Sequence, residues 1–207
     1  MDVPLSDLTT FARIRNAALA GFAGNGVAGT SIRDVAQAAG VSPGLVQHHF
    51  PTKAALAQAV NDHVAAIAVA AFEDVPVAGS ARDAAEELGR RVTALIHDHP
   101  DALRYVARAS IEADPGALEL FDALVSIAET QWEQLARDGL LRPDVDHQWT
   151  ALNTIVFNLG PLMFQAALER HLPDPFLSPE GLERWQRAGT KLFRHGVYQA
   201  EPATTAR

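Results

Sequence analysis

Residues 30–56 read TSIRDVAQAAGVSPGLVQHHFPTKAAL, and no other stretch constrains the fold as tightly. Two short helix-patterned segments are joined by Gly40-Val41-Ser42, which leaves room only for a sharp corner. Ser31-x-x-Asp34 fits a capping box at the first segment, with Thr30 or Ser31 as its cap. Ile32, Val35, Ala36 and Ala39 form its inner face. Gly40 supplies the permissive backbone of the corner, Val41 plugs it, and Ser42-Pro43 starts the second segment. Val46 and Phe50 face back toward the first helix, and Ala36 is small because the two helices cross beside it. These are the steric requirements of a helix-turn-helix.

Outward on the second helix stand Gly44, Leu45, Gln47, His48 and the imidazole of His49. They are short, polar or hydrogen-bonding groups, placed where a recognition helix meets base edges in the major groove.

The rest of the chain is also helical in pattern, without runs of alternating β-branched residues. A first helix is expected from about Leu8 to Gly24, closed by Gly24 and Gly26. Thr52 caps a long helix from Lys53 to about Phe72, and EDVPVAGSA breaks it. Ser80, Pro100, Asp114-Pro115, Asp146 and Ser178-Pro179 mark further helix starts, the last helix reaching about Gln199 before a loose tail, EPATTAR. The expected fold is all-α with about nine helices. Residues 1–52 form a three-helix DNA-binding head, and residues 53–207 form a ligand-binding and dimerisation body.

Charge is unevenly spread. Up to Lys53, Arg13, Arg15, Arg33 and Lys53 face Asp2, Asp7 and Asp34, a net +1 in a chain of net −8. A mildly basic head on an acidic body suits nucleic-acid contact at one end only. The chain has no cysteine, which excludes disulfides, thiolate metal sites and a thiol nucleophile. The N-terminus does not read as a signal peptide, and the longest candidate for a spanning helix, Trp149–Leu168, carries Asn153, Asn158, Gly160, Pro161 and Gln165 and reads as a buried helix. A cytoplasmic protein with no membrane partner is expected.

The stretch resembles the DNA-binding domain of the TetR family of bacterial repressors. Thr30, Val35, Ala36, Ala39, Gly40, Val41, Ser42, Gly44, Val46, His49, Phe50, Lys53 and Leu56 fall on its signature. The resemblance implies a two-fold dimer on a palindromic operator in double-stranded DNA, a variable body that takes a small-molecule effector, and dimerisation through a final helix pair. It implies Lys53 as a phosphate clamp, with Thr30, Arg33 and Ser42 as further backbone contacts and Pro43 among the DNA-facing residues. One position departs: the family's tyrosine, a phosphate contact, is Gln47 here, whose amide can also pair bidentately with adenine.

In the body, the candidate effector anchors are the polar or aromatic residues Arg104, Tyr105, Arg108, Phe121, Gln131, Trp132, Asn153 and Asn158. For the dimer, the penultimate helix offers Trp149, Leu152, Ile155, Val156, Leu159, Leu162, Met163 and Leu168, with a kink expected at Gly160-Pro161. The last helix offers Leu182, Trp185, Leu192, Phe193 and Val197.

The competing reading is an all-helical enzyme or ligand-binding protein that does not bind DNA. Nucleophile-elbow, phosphate-loop and His-Glu-x-x-His motifs are absent, so no cofactor, metal or catalytic residue is expected. His48-His49 points its rings about 100° apart on a helix, which is poor geometry for a metal pair. His97-Asp98-His99 reads as an exposed helix end.

Overall fold

A computed structural model of the chain describes residues 9–73, 79–112 and 115–198, apart from the side chains of Pro115 and Ala117. Leu8, Gln199, the tail and most of the EDVPVAGSA break lie outside those residues. Among the described residues there are ten helices and no strand. They are α1 Thr10–Gly29, α2 Ile32–Ala39, α3 Pro43–His49, α4 Lys53–Phe72, α5 Ala81–Asp98, α6 Pro100–Ile111, α7 Pro115–Arg137, α8 His147–Met163, α9 Gln165–Leu168 and α10 Pro179–Gly196.

Local chemistry explains most boundaries. Thr9, Ser31, Ser42, Asp146 and Ser178 cap α1, α2, α3, α8 and α10 by accepting a backbone N–H in the first turn. Thr52 and Ser80 do the same before α4 and α5. The first helix breaks at Gly26, one of the two glycines expected to close it: Gly26 leaves helical geometry at φ 76°, ψ 164°, and a short further turn carries the segment to Gly29. The penultimate helix differs from expectation: it continues through Pro161 to Met163 and breaks at Phe164, and the four-residue α9 follows as a separate helix.

The chain divides into two compact units, 1–68 with 98–123 and 69–97 with 124–207, so the division passes through α4 and α7. In the first unit, Ile14, Ala18 and Phe22 of α1, Val35 and Ala36 of α2, Val46 and Phe50, and Leu56, Val60 and Val64 of α4 are all buried. Packed against α1 is α6, whose Leu103, Tyr105, Val106 and Ala109 are buried, with the Tyr105 ring 6.1 Å from that of Phe22. The Tyr105 hydroxyl donates to the Asn61 side-chain oxygen at 2.7 Å within this core, and Arg108 donates to the Ala23 carbonyl at 3.1 Å. By length and composition α4 is apolar enough to span a membrane. Asp62 and His63 interrupt it, and its apolar side closes the core, so it reads as a core helix.

His63 on α4 carries a pH dependence. Burial, then Arg15, then His99 push its imidazole down from 6.5 to about 4, so the folded state holds it neutral. The unfolded chain takes the proton at its ordinary value, so stability drops as pH falls from about 6.5 toward 4 and levels off below. Allowing for its partial exposure, the loss is about 1–2 kcal/mol. Urea unfolding at pH 7 and pH 4.5 should show a smaller acid loss for His63→Gln than for the parent. Equal losses would remove His63 from the explanation.

The second unit gathers on Trp132. Its ring lies 6.2 Å from Phe193 and 5.6 Å from Tyr198, and its indole N–H donates to Thr154 at 3.1 Å. Ala81, Ala84 and Ala85 of α5, Ala128, Leu141 and Ala151 complete this core. Phe157 stacks on Trp185 at 5.5 Å. From the middle of α5, Arg91 donates to the Ala71 and Glu73 carbonyls, closing the last turn of α4, and Glu87 holds the same guanidinium.

Candidate nucleic-acid interface

The corner between α2 and α3 is built as its residue types dictate. Ser31 and Asp34 form a reciprocal capping box. Gly40 takes the left-handed conformation, φ 66°, ψ 39°, and its N–H bonds back to α2. Val46 is fully buried and Ala36 nearly so, which locks α3 on α2 by shape rather than by charge.

Arg13 completes the corner and has no signature in the local sequence. Its guanidinium reaches from α1 to donate to the Ala39 carbonyl at 2.7 Å and the Gly40 carbonyl at 3.4 Å. The last turn of α2 contains no basic residue of its own. A helix end wants a cation at its carbonyls, and here one arrives from 26 residues away. Phe11 is the second residue the pattern missed. It stays 42% exposed on α1 and lies against the end of α3, 4.7 Å from Phe50 and edge-on to His49 at 6.4 Å.

The predicted DNA-facing residues separate into three groups. Pro43, Gly44, Leu45, Gln47 and His48 are exposed along α3, with Ser42 at its start and Arg33 exposed on α2. Nothing in the fold requires a glycine at 44: an added Cβ would meet only the Ser42 hydroxyl, at 4.0 Å. His49 and Lys53 are half-buried. The Lys53 ammonium donates to the Ala28 carbonyl at 3.2 Å, which leaves two of its three protons for other acceptors. Thr30 stands apart. It is 3% exposed, and its hydroxyl donates to the Gly26 carbonyl at 2.9 Å, so in this structure it secures the α1–α2 corner. The cap of α2 is Ser31.

The predicted effector anchors are dispersed. Arg104, Tyr105, Arg108 and Phe121 belong to the first unit, and Gln131, Trp132, Asn153 and Asn158 to the second. Tyr105 and Trp132 are buried core residues with their polar atoms paired. Arg104 pairs with Asp101 and Arg108 with Glu112. Asn153 is exposed, while Phe121, Gln131 and Asn158 are half-buried.

The sequence model of the bacterial regulatory proteins, tetR family, matches residues 14–60, from the middle of α1 into α4. The HTH-type transcriptional regulatory protein RaaS of Mycobacterium tuberculosis (strain ATCC 25618 / H37Rv) is 32% identical over 146 residues, or 68% of this chain; the match spans 64% of that relative's length. A TetR transcriptional regulator from Chloroflexus aurantiacus J-10-FL superposes with a TM-score of 0.70 at 23% identity, over 92% of this chain and 97% of that one. The ketosteroid transcriptional regulator KstR2 of Mycobacterium tuberculosis superposes at 0.69 and 17% identity, over 96% and 98%. At those identities the two structures speak for the fold.

Proposed function

Through its helix-turn-helix the chain belongs to the TetR family of bacterial regulatory proteins, and on that premise we propose that it is a transcriptional repressor released from a palindromic operator by a small, largely apolar effector. The observation that carries DNA binding is α3 itself. It is capped at Ser42, anchored by the buried Val46, and displays Gly44, Leu45, Gln47 and His48 with no core role. A helix so short does not hold its shape alone, and tertiary anchoring makes it a rigid reading element.

Residues 1–52 are proposed as the DNA-binding part and the remainder as the regulatory part. Lys53 supports the phosphate assignment in a specific way. A cation in the first turn of a helix opposes the helix dipole, so the stability of α4 does not explain it, whereas an incoming phosphate would. Arg33 and Ser42 are proposed as further backbone contacts, and Thr30 as a positioning residue. The effector anchors proposed from sequence remain candidates, with Gln131, Asn153 and Asn158 the ones whose exposure best suits a ligand. An effector would act by favouring one tilt of α4, through differential affinity for two arrangements of heads that must sit about 34–36 Å apart on DNA.

The dimer surface is proposed on α8 and α10, and it is narrower than the sequence pattern suggested. Trp149, Val156 and Met163 recur every seven residues on α8 and are exposed, and Phe164 follows them. Of the five residues expected on α10, Leu192 alone stays largely exposed; Leu182 is buried and the others are half-buried. A cytoplasmic location accompanies this function.

Lys53→Ala should weaken all DNA sequences alike and lower the salt slope by about one unit per subunit. Gln47→Ala should cost roughly 1–3 kcal/mol on the operator and relax one position of each half-site. Affinities for operator and scrambled duplexes at two salt concentrations test both, the operator being selected from a random duplex library. A Gln47→Ala loss that is equal on both duplexes would make Gln47 a backbone contact. No binding to any duplex would favour the non-DNA-binding alternative.

A further inference from the structure

The recognition helix is too short to hold its own direction. It has seven residues and a single buried side chain, Val46, so its pitch depends on what grips its two ends. Both ends are gripped from α1, by side chains two residues apart in sequence. Where α3 departs from the corner, the Arg13 guanidinium holds the Ala39 and Gly40 carbonyls at 2.7 and 3.4 Å. Where α3 ends, the Phe11 ring lies 4.7 Å from Phe50 and edge-on to His49. Helix α1 is itself well fixed: Thr9 caps it, Ile14, Ala18 and Phe22 are buried, and α6 packs against it.

We infer that Arg13 and Phe11 are positioning residues for sequence reading, which set the pitch of α3 from α1 and touch no base. The inference rests on the DNA-binding reading and adds two residues to that site. Hydrogen bonds to base edges form only when the reading side chains are held within about 0.5 Å and 10–20° of the productive geometry. Phosphate contacts are more forgiving, and those proposed for Arg33 and Lys53 lie on α2 and α4, off the recognition helix. A loosened α3 therefore costs sequence preference and leaves general adhesion to DNA in place.

Two other roles are chemically open to Arg13, and each leaves a different signature. As a mere helix cap it would neutralise the carbonyl end of α2, whose last turn has no basic residue, and any cation placed there would replace it. As a phosphate contact it would spend its remaining N–H groups on DNA, and its loss would weaken every duplex alike and lower the salt dependence. A tether between α1 and the corner does neither. Its loss lowers the ratio of operator to scrambled affinity, and a cation supplied from within α2 does not restore that ratio.

The test uses the full chain with two fluorescein-labelled duplexes of about 30 bp. One carries the palindrome that the parent selects from a random library, and the other is its scrambled version. Anisotropy is read at two salt concentrations, and urea unfolding reads stability. Arg13→Met should weaken the palindrome about tenfold or more, the size of one lost base contact, while scrambled DNA moves less than about twofold at an unchanged salt slope. Phe11→Ala should shift the ratio in the same direction. One ammonium can serve both carbonyls, so Arg13→Lys should keep most of the ratio. Arg13→Met/Gln37→Arg returns a cation to the last turn of α2, where Gln37 is exposed, without a link to α1. It should regain the stability lost by Arg13→Met but not the ratio, in which any added phosphate contact cancels. Recovery of the ratio makes Arg13 a cap and overturns the inference. Equal loss on both duplexes, with a salt slope lower by about one unit per subunit, makes it a phosphate contact and overturns the inference as well. A ratio unchanged in Arg13→Met does the same, and one unchanged in Phe11→Ala strikes Phe11 from it; each of these results leaves DNA binding intact. A parent that binds no duplex overturns the DNA-binding reading and the inference together.

Discussion

Gly26→Ala is expected to lower folding stability by about 2–3 kcal/mol. Two causes are present, and their magnitudes decide between them. An added Cβ would lie 2.8 Å from one Glu112 carboxylate oxygen and 2.9 Å from the other. That carboxylate is the mobile end of an exposed side chain whose partner is Arg108 at 3.4 Å, so it can swing away at small cost. The backbone has no such escape. With φ 76° and ψ 164°, Gly26 occupies a region essentially closed to residues with a Cβ, and the Thr30 hydroxyl bond to its carbonyl ties the next corner to that geometry. Gly26→Ala/Glu112→Ala should therefore recover only a small part of the loss in urea unfolding. Recovery of more than half would make the carboxylate contact the dominant cause. Gly40→Ala provides the contrast: its αL backbone admits other residues at about 1 kcal/mol, and the added Cβ would meet Arg13 at an ordinary 3.4 Å.

Val156→Glu is expected to leave the chain monomeric and to weaken a palindromic operator by about 100-fold or more. Val156 is 60% exposed, midway between Trp149 and Met163 on the same stripe of α8. Because the residue is exposed in the single chain, glutamate there leaves the unit's own core intact. In a two-fold contact the charge would be buried twice without a partner. The two heads then lose the effective concentration that joins them, which is worth 10²–10⁴ in apparent affinity, on the order of this loss. Light scattering at micromolar concentration reads the mass, and anisotropy compares full and half operators. The half-site affinity should hardly move. A parent that is already monomeric would refute the proposed dimer, and a variant that remains dimeric would transfer dimerisation to another surface.

The helix-turn-helix was readable in the chain because its determinants are near neighbours. The Ser31–Asp34 box, the left-handed Gly40, the Ser42 cap and the buried Val46 all act within a few residues of one another, so residue type and spacing specify them before any tertiary contact forms. The same holds for the caps that start α4, α5, α8 and α10. Folding decided what depended on distant partners. Thr30 has a capping side chain by type, yet it turned inward to Gly26 while Ser31 took the cap. Arg13 found the bare end of α2, Tyr105 met Asn61 across 44 residues, and Arg108 reached Ala23 across 85. The apolar content of α10 was legible, but its division between a Trp132-centred core and a free face was not. Helical periodicity states which residues share a face. It does not state which face another helix will cover, because that is settled by shape and by hydrogen-bond partners far away in the chain.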